Sequence, residues 1–235
     1  MEKLKFKGRY DRNFNTLSIK EQKKLVSSKV VVIGLGGLGG GVSEILARAG
    51  VGHLTLIDGD SFEPSNLNRQ LLSQENLMGV SKARAAKQRV NAINSEVNVD
   101  CFIEYLDATN MYDRIKHGDL VVDCLDTIDA RFILQNAANR ASIPVVSGAI
   151  AGMTGQVTSI FPGDMGYKLI YGEEAEKQSK GVETITGNLG CCALFVAALQ
   201  SVEVLKILLK RKDILRNKLL IAELWTNTFE IVDLI

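Results

Sequence analysis

Lys29-Val30-Val31-Val32-Ile33-Gly34-Leu35-Gly36-Gly37-Leu38-Gly39-Gly40-Gly41-Val42 is the stretch on which the fold turns. The β-branched run 29–33 suits a buried strand, and residues 42–49 have helical spacing closed by Gly50. The glycines between them let the chain turn sharply and pack closely. A second apolar run, 53–57, ends on Asp58, 19 positions after Gly39. Strand, glycine loop, helix, strand and acidic residue form the βαβ pattern of a nucleotide site. The helix N-terminus attracts phosphate and the carboxylate accepts ribose hydroxyls about 20 residues on. Gly34, Gly36, Gly37, Gly39 and Asp58 are the first candidate binding residues, and the pattern alone leaves dinucleotide and ATP both open.

The same alternation continues outward. Ser18 and Glu21 have capping-box spacing for a short helix running towards Ser27. Ser81 caps a helix reaching Asn94, and 97–106 reads as a strand. A short helix at 110–116, a strand at 120–124, a helix at 128–140 and a strand at 145–147 follow. After Gly148 come a strand at 155–161, a weakly patterned crossover loop at 162–186 and a long helix over 189–210. Two alternating strands, 218–224 and 228–234, turn about Thr226-Asn227. The expected fold is α/β: a Rossmann-like, mostly parallel sheet with helices on both faces, extended by an antiparallel C-terminal portion. An N-terminal helical arm, 1–28, is expected before a single domain, 29–235.

Charge narrows the function classes. Lys and Arg total 28 against 27 for Asp and Glu, so no net field favours nucleic acid or an anionic membrane. The N-terminus is charged and lacks the apolar core of a secretory signal, which points to the cytoplasm. The apolar stretch 189–209 carries Gln200, Glu203 and Lys206, so a packed amphipathic helix fits better than a membrane span. Four cysteines, with no Cys-x-x-Cys pair, signal neither disulfides nor zinc. Cys191 and Cys192 are expected to pack in the core as small hydrophobes.

Past the second strand, the segment 58–70 brings Asp60, Asn66 and Gln70 beside Arg69, and Lys82 opens the next helix. Arginine offers a two-pronged phosphate fork and lysine a mobile point charge. Together they suit a triphosphate and a departing pyrophosphate, for which hydride transfer has little use. Asp126 lies just past the strand 120–124, where a helix N-cap is its simplest structural role.

These motifs, with Ala49-Gly50-Val51-Gly52, Ser65-Asn66-Leu67-Asn68-Arg69-Gln70, Gly79-Val80-Ser81-Lys82, Asp123-Cys124-Leu125-Asp126, Gly155-Gln156 and Gln200 to Lys206, stand in one order. In that order the chain resembles the ThiF/MoeB/HesA family, bacterial relatives of ubiquitin-activating enzymes. The resemblance implies an ATP- and magnesium-dependent adenylyltransferase. Its substrate would be the C-terminal glycine carboxylate of a ubiquitin-like sulfur-carrier protein ending in Gly-Gly, as in thiamine or molybdopterin biosynthesis. It further implies that Asp58 accepts the ribose hydroxyls, Asn66, Arg69 and Lys82 hold the phosphates, and Asp126 positions magnesium. Asp60 and Gln70 would stand in the same nucleotide site, and Arg12 would come from the second subunit of a homodimer.

The chain departs from many relatives in lacking two zinc-binding Cys-x-x-Cys pairs; 165–172 stands in place of the first. Glu183 stands near the position of a loop cysteine that forms covalent links in some relatives, so adenylation is expected without zinc and without covalent catalysis. An NAD-dependent oxidoreductase on the same βαβ unit, or a non-catalytic nucleotide- or carrier-binding module, is the alternative.

Overall fold

The structure is a computed structural model, described here for residues 8–172 and 186–235. The arm helix α1 (Ile19–Val26) carries the full capping box, Ser18 and Glu21 satisfying each other's backbone N–H groups. It leads into β1 (Lys29–Ile33), α2 (Gly37–Ala49) and β2 (His53–Ile57). Next come α3 (Lys82–Ile93), β3 (Asn98–Phe102), α4 (Met111–Ile115), β4 (Leu120–Asp123) and α5 (Ile128–Ala141). The chain ends with β5 (Val145–Ala151), β6 (Thr154–Ile160), α6 (Tyr167–Tyr171), α7 (Gly190–Leu208), β7 (Lys218–Glu223) and β8 (Thr228–Asp233).

Among the described residues, eight strands share one sheet in the order β3-β2-β1-β4-β5-β6-β7-β8. The pairs from β3 to β5 are parallel, and those from β5 to β8 antiparallel. The mostly parallel sheet with an antiparallel C-terminal extension is therefore present. β1 pairs with β2 on one side and β4 on the other, Val31 standing level with Thr55 and Val121. This is where the order reverses, and the loops leaving the carboxyl ends of such strands open a crevice.

The alternation along β1 explains why both faces are covered. Val30 and Val32 point to a core shared with α2, α3 and α7 through Leu46, Ala86 and Val204. Val31 and Ile33 point to a second core with Ile115, Phe132 and Leu134 from α4 and α5. Each buried aliphatic side chain contributes about 1.5–3 kcal/mol. The arm docks on the end of α2: Tyr10 is buried, its hydroxyl accepts from Asn94 Nδ2 at 2.7 Å, and Gln22 Nε2 donates to Ala49 O at 2.9 Å.

Several boundaries differ from those the sequence suggests. α2 begins at Gly37, not at residue 42, because its first turn is built from the glycines themselves. β5 runs to Ala151, since its pairing with β6 extends from Val145 to Ala151. The crossover contains α6 in its described part; residues 173–185, including Glu183, lie outside the described residues.

α6 is held by a buried side chain. The Tyr167 hydroxyl donates to Asp123 Oδ2 at 2.6 Å, and its ring lies edge-on to Phe132 at 5.9 Å and stacks on Tyr171 at 6.0 Å. Asp123 Oδ2 also accepts from Arg131 Nη1 and the Ser147 hydroxyl, each at 2.7 Å, while its Oδ1 accepts from Leu125 N at 2.9 Å. One carboxylate thus joins β4, α5, β5 and the crossover. A hydrogen bond to a buried charged group is worth about 1.5–3 kcal/mol. Tyr167→Phe should lose that much stability in urea unfolding, and a loss near zero would show that the hydroxyl does not anchor the crossover.

Candidate active site

The loops after β1, β2 and β4, with the segment after β3, the β5–β6 hairpin and the residues before α7, surround a cavity of about 930 Å³. Gly34, Gly36 and Gly37 line it, together with Asp58, Asp60, Asn66, Arg69, Gln70, Lys82 and Asp126. Separate stretches of sequence therefore meet at the carboxyl ends of three neighbouring strands. The N-terminus of α2, with Gly36 as its cap, supplies backbone N–H groups and a positive helix end suited to an anion.

Two candidates do not line the cavity. Gly39 packs inside the turn, where an added Cβ would lie 1.8 Å from Gly34 O. It serves close approach of helix to strand and is not part of the cavity lining. Arg12 is exposed on the arm and is not part of the lining formed by its own chain.

Asp58 sits at the end of β2 with both carboxylate oxygens engaged. Oδ2 accepts from Leu35 N at 2.6 Å and Oδ1 from Asp60 N at 2.7 Å. The first bond ties the glycine loop to β2. Burial raises its pKa despite these bonds and the nearby Lys82. Asp60 is shifted the other way: burial opposes its charge, but hydrogen bonds from Lys82 and Tyr105 outweigh it.

Lys82 is buried at the start of α3 and donates to Asp60 Oδ2 at 2.8 Å, while the Tyr105 hydroxyl donates to Asp60 Oδ1 at 2.6 Å. An ammonium has three N–H groups, so two of them are left for an anion. Arg69 spends Nη1 on Ser65 O at 2.9 Å and Asn68 Oδ1 at 3.0 Å. Its Nη2 and Nε make no bond to a described residue, and they are the edge of the fork that a phosphate would meet. Asn66 is turned inward: its Oδ1 accepts from Glu63 N at 3.1 Å and stabilises the short turn carrying Arg69.

Asp126 is exposed to the cavity and makes no hydrogen bond to a described residue. The N-cap of α5 is Thr127, and no side chain caps the helix, so the capping role for Asp126 is absent. The preceding turn is instead fixed from below by Asp123 and Arg131, the latter also donating to the carbonyls of Leu125 and Gly148.

The cysteines divide. Cys192 is fully buried, and burial pushes its thiol up to about 11. Cys191 is exposed in the first turn of α7, with Sγ 3.7 Å from Met153 Sδ, which corrects its placement in the core. One residue of helical rotation separates the two, and only Cys192 faces the sheet. Cys124 borders the cavity, and burial raises its pKa as well.

Tyr105, Arg131 and Asn188 also line the cavity and escape the sequence reading. Tyr105 lies just beyond the strand after Asp58, where a polar aromatic is a weak signal. Arg131, buried on a helix eight positions after Asp123, is the kind of residue that must find a charge partner, and that signal was available. Asn188 gave no signal.

The opposite shifts of the two aspartates are testable. Followed by carboxyl chemical shifts in the ligand-free protein, Asp58 should titrate above the ordinary value of about 3.9 and Asp60 below it. The reverse order would refute this account of the site's electrostatics.

Residues 10–234 match the model of the ThiF family. The chain is 35% identical over 211 residues to the SAMP-activating enzyme E1 of Haloferax volcanii, covering 90% of this chain and 78% of that protein. It is 34% identical over 220 residues to the molybdopterin-synthase adenylyltransferase of Haemophilus influenzae, covering 92% and 89%. It spans about half the length of the Drosophila persimilis protein named adenylyltransferase and sulfurtransferase MOCS3, at 33% identity. Among solved structures, E. coli MccB with ATP superposes with a TM-score of 0.78 at 27% identity, covering 97% of this chain and 71% of that one. With its glycine loop, switch-point cavity and nearly full-length match, this chain belongs to the ThiF family.

Proposed function

We propose that the cavity binds ATP and that this chain adenylates the C-terminal glycine carboxylate of a ubiquitin-like sulfur-carrier protein, releasing pyrophosphate. Adenylyl transfer is the chemistry for which the Haemophilus influenzae and Drosophila persimilis relatives are named, and the Haloferax volcanii relative is named for activating SAMP. The observation that carries the reading is the meeting of Asp58, Arg69, Lys82 and Asp126 around one cavity at the N-terminus of α2. ATP offers ribose hydroxyls to Asp58 and phosphate oxygens to the unspent donors of Arg69 and Lys82.

A carboxylate is ionised near pH 7 and needs no general base. Its oxygen attacks the α-phosphorus, the bond to the bridging oxygen breaks, and pyrophosphate leaves with the electron pair. What the protein supplies is alignment of the two reactants and stabilisation of charge building on the phosphate oxygens. Asp126 would hold magnesium, which takes one or two carboxylates alongside substrate phosphates, and a lone exposed carboxylate fits that requirement. When bound, the ion neutralises phosphate charge. Arg12, outside the cavity of its own chain, is assigned to the neighbouring site of a homodimer.

ATP–pyrophosphate exchange tests the reading. With a carrier ending in Gly-Gly, exchange should be rapid and should fall about 100-fold or more in Arg69→Ala or Asp126→Ala. It should persist in Cys191→Ser. Absence of exchange with every such carrier would overturn the proposal.

The shared site has its own test. Arg12→Ala and Asp126→Ala proteins, each inactive alone, should regain part of the activity when mixed, because a hybrid dimer contains one intact site. No recovery on mixing, with subunit exchange demonstrated, would show that Arg12 does not act in the neighbouring subunit's site, and full activity of Arg12→Ala alone would place it outside the reaction.

A further inference from the structure

Two buried oxygens in the cavity wall have no hydrogen-bond partner, Gln70 Oε1 and Asn188 Oδ1. Gln70 is only 6% exposed. Neither carboxamide nitrogen bonds to a described residue either, so the hydrogen-bonding capacity of both side chains is unspent. Buried oxygens left without a donor are costly, and a pair of them in one cavity marks a place where a ligand completes the bonding.

The two flank the same piece of chain. Gln70 follows Arg69, and its amide nitrogen lies 3.4 Å from the point where a Cβ on Gly36 would stand. Asn188 stands two positions before α7, separated from it by the N-cap Leu189. Its carbonyl accepts from Asn68 Nδ2 at 3.0 Å, and Asn68 Oδ1 in turn accepts from Arg69 at 3.0 Å. Gly190 allows this approach, since a Cβ there would lie 2.8 Å from Asn68 O. Both amides are therefore positioned through the loop that carries the phosphate-facing arginine.

The chemistry of the pair selects among ligands. Ionised phosphate oxygens only accept, so they leave a carbonyl oxygen unmet whichever way the amide is turned. Ribose hydroxyls can donate, but the acceptor assigned to them is Asp58, and adenine, which could also pair with a carboxamide, lies at the other end of a nucleotide whose phosphates face Arg69 and the glycine turn. A peptide backbone offers N–H donors to the two unmet oxygens and, from its neighbouring groups, C=O acceptors to the carboxamide nitrogens.

We propose that Gln70 and Asn188 bind the backbone of the acyl substrate's C-terminal peptide, holding the last peptide group so that the terminal carboxylate lies beside Arg69 and the glycine loop. This inference rests on the adenylation reading above. It makes Asn188 a positioning residue for the acyl substrate and moves Gln70 from the nucleotide to the peptide.

The probe is a synthetic decapeptide ending in Gly-Gly, compared with the same peptide N-methylated at its last peptide nitrogen. Exchange is measured with both peptides, and ATP affinity is measured by calorimetry on the full chain. In the unaltered protein, methylation should lower kcat/KM at least tenfold. Asn188→Leu, similar in size but unable to hydrogen-bond, should raise KM for the unmethylated peptide at least tenfold and leave ATP affinity within twofold, which also reports an intact fold. Methylation should then cost little further in Asn188→Leu or in Gln70→Leu. If the losses multiply in both variants, or if Asn188→Leu weakens ATP instead, the inference is overturned while adenylation stands. If ATP binds but neither peptide nor carrier protein is adenylated, the adenylation reading falls and takes this inference with it.

Discussion

The close approach of β1 to β4 at Gly34 is the constraint on which the site depends. Gly34 has a φ of +84°, and a Cβ on it would stand 2.5 Å from Cys124 O. Only a glycine lets the chain leave β1 there, turn beneath the end of β4 and start α2 over the cavity. The turn also aims Leu35 N at Asp58, so the loops after β1 and β2 are tied by one 2.6 Å bond. A side chain at Gly34 would push β4 away and carry Asp126 with it.

A second device fixes the floor from the opposite direction. Asp123 is fully buried at the last position of β4 and is surrounded by donors from Arg131, Ser147, Tyr167 and Leu125. A buried carboxylate that lost one of these partners would leave an oxygen unpaired in a medium that solvates it poorly. The network therefore holds the turn bearing Asp126 in one conformation. It also connects the site to α6, so the anchoring of the crossover and the placing of Asp126 draw on the same carboxylate.

Electrostatics within the cavity are local. Lys and Arg are almost matched by Asp and Glu over the whole chain, and the cavity likewise sets Arg69, Lys82 and the positive end of α2 against Asp58, Asp60, Glu104 and Asp126. Asp60 holds Lys82 by a 2.8 Å ion pair and so places its remaining donors without neutralising the helix end or Arg69. Tyr105 completes this arrangement from beyond β3, its ring lying where a Cβ on Gly59 would be only 2.8 Å away.

The sequence by itself determined the order of strands and helices, the glycine turn and the acidic residue Asp58, while Arg69 and Lys82 stood out by charge and Asp126 only through the resemblance to a known family. Those features are written in short-range patterns: alternation with a period of two or of 3.6, glycines where a Cβ does not fit, and motifs whose spacing survives in one dimension. Only the tertiary structure decided which side chains are spent and which are free. The register of β4 against β5 places Ser147 level with Asp123, and a helix turn away Arg131 completes the pair. Cys191 and Cys192 are adjacent in sequence but lie on different sides of the helix surface. The unsatisfied amides of Gln70 and Asn188 are likewise products of packing. Whether a polar group keeps its bonding capacity depends on neighbours more than a hundred positions away, and local pattern carries no record of them.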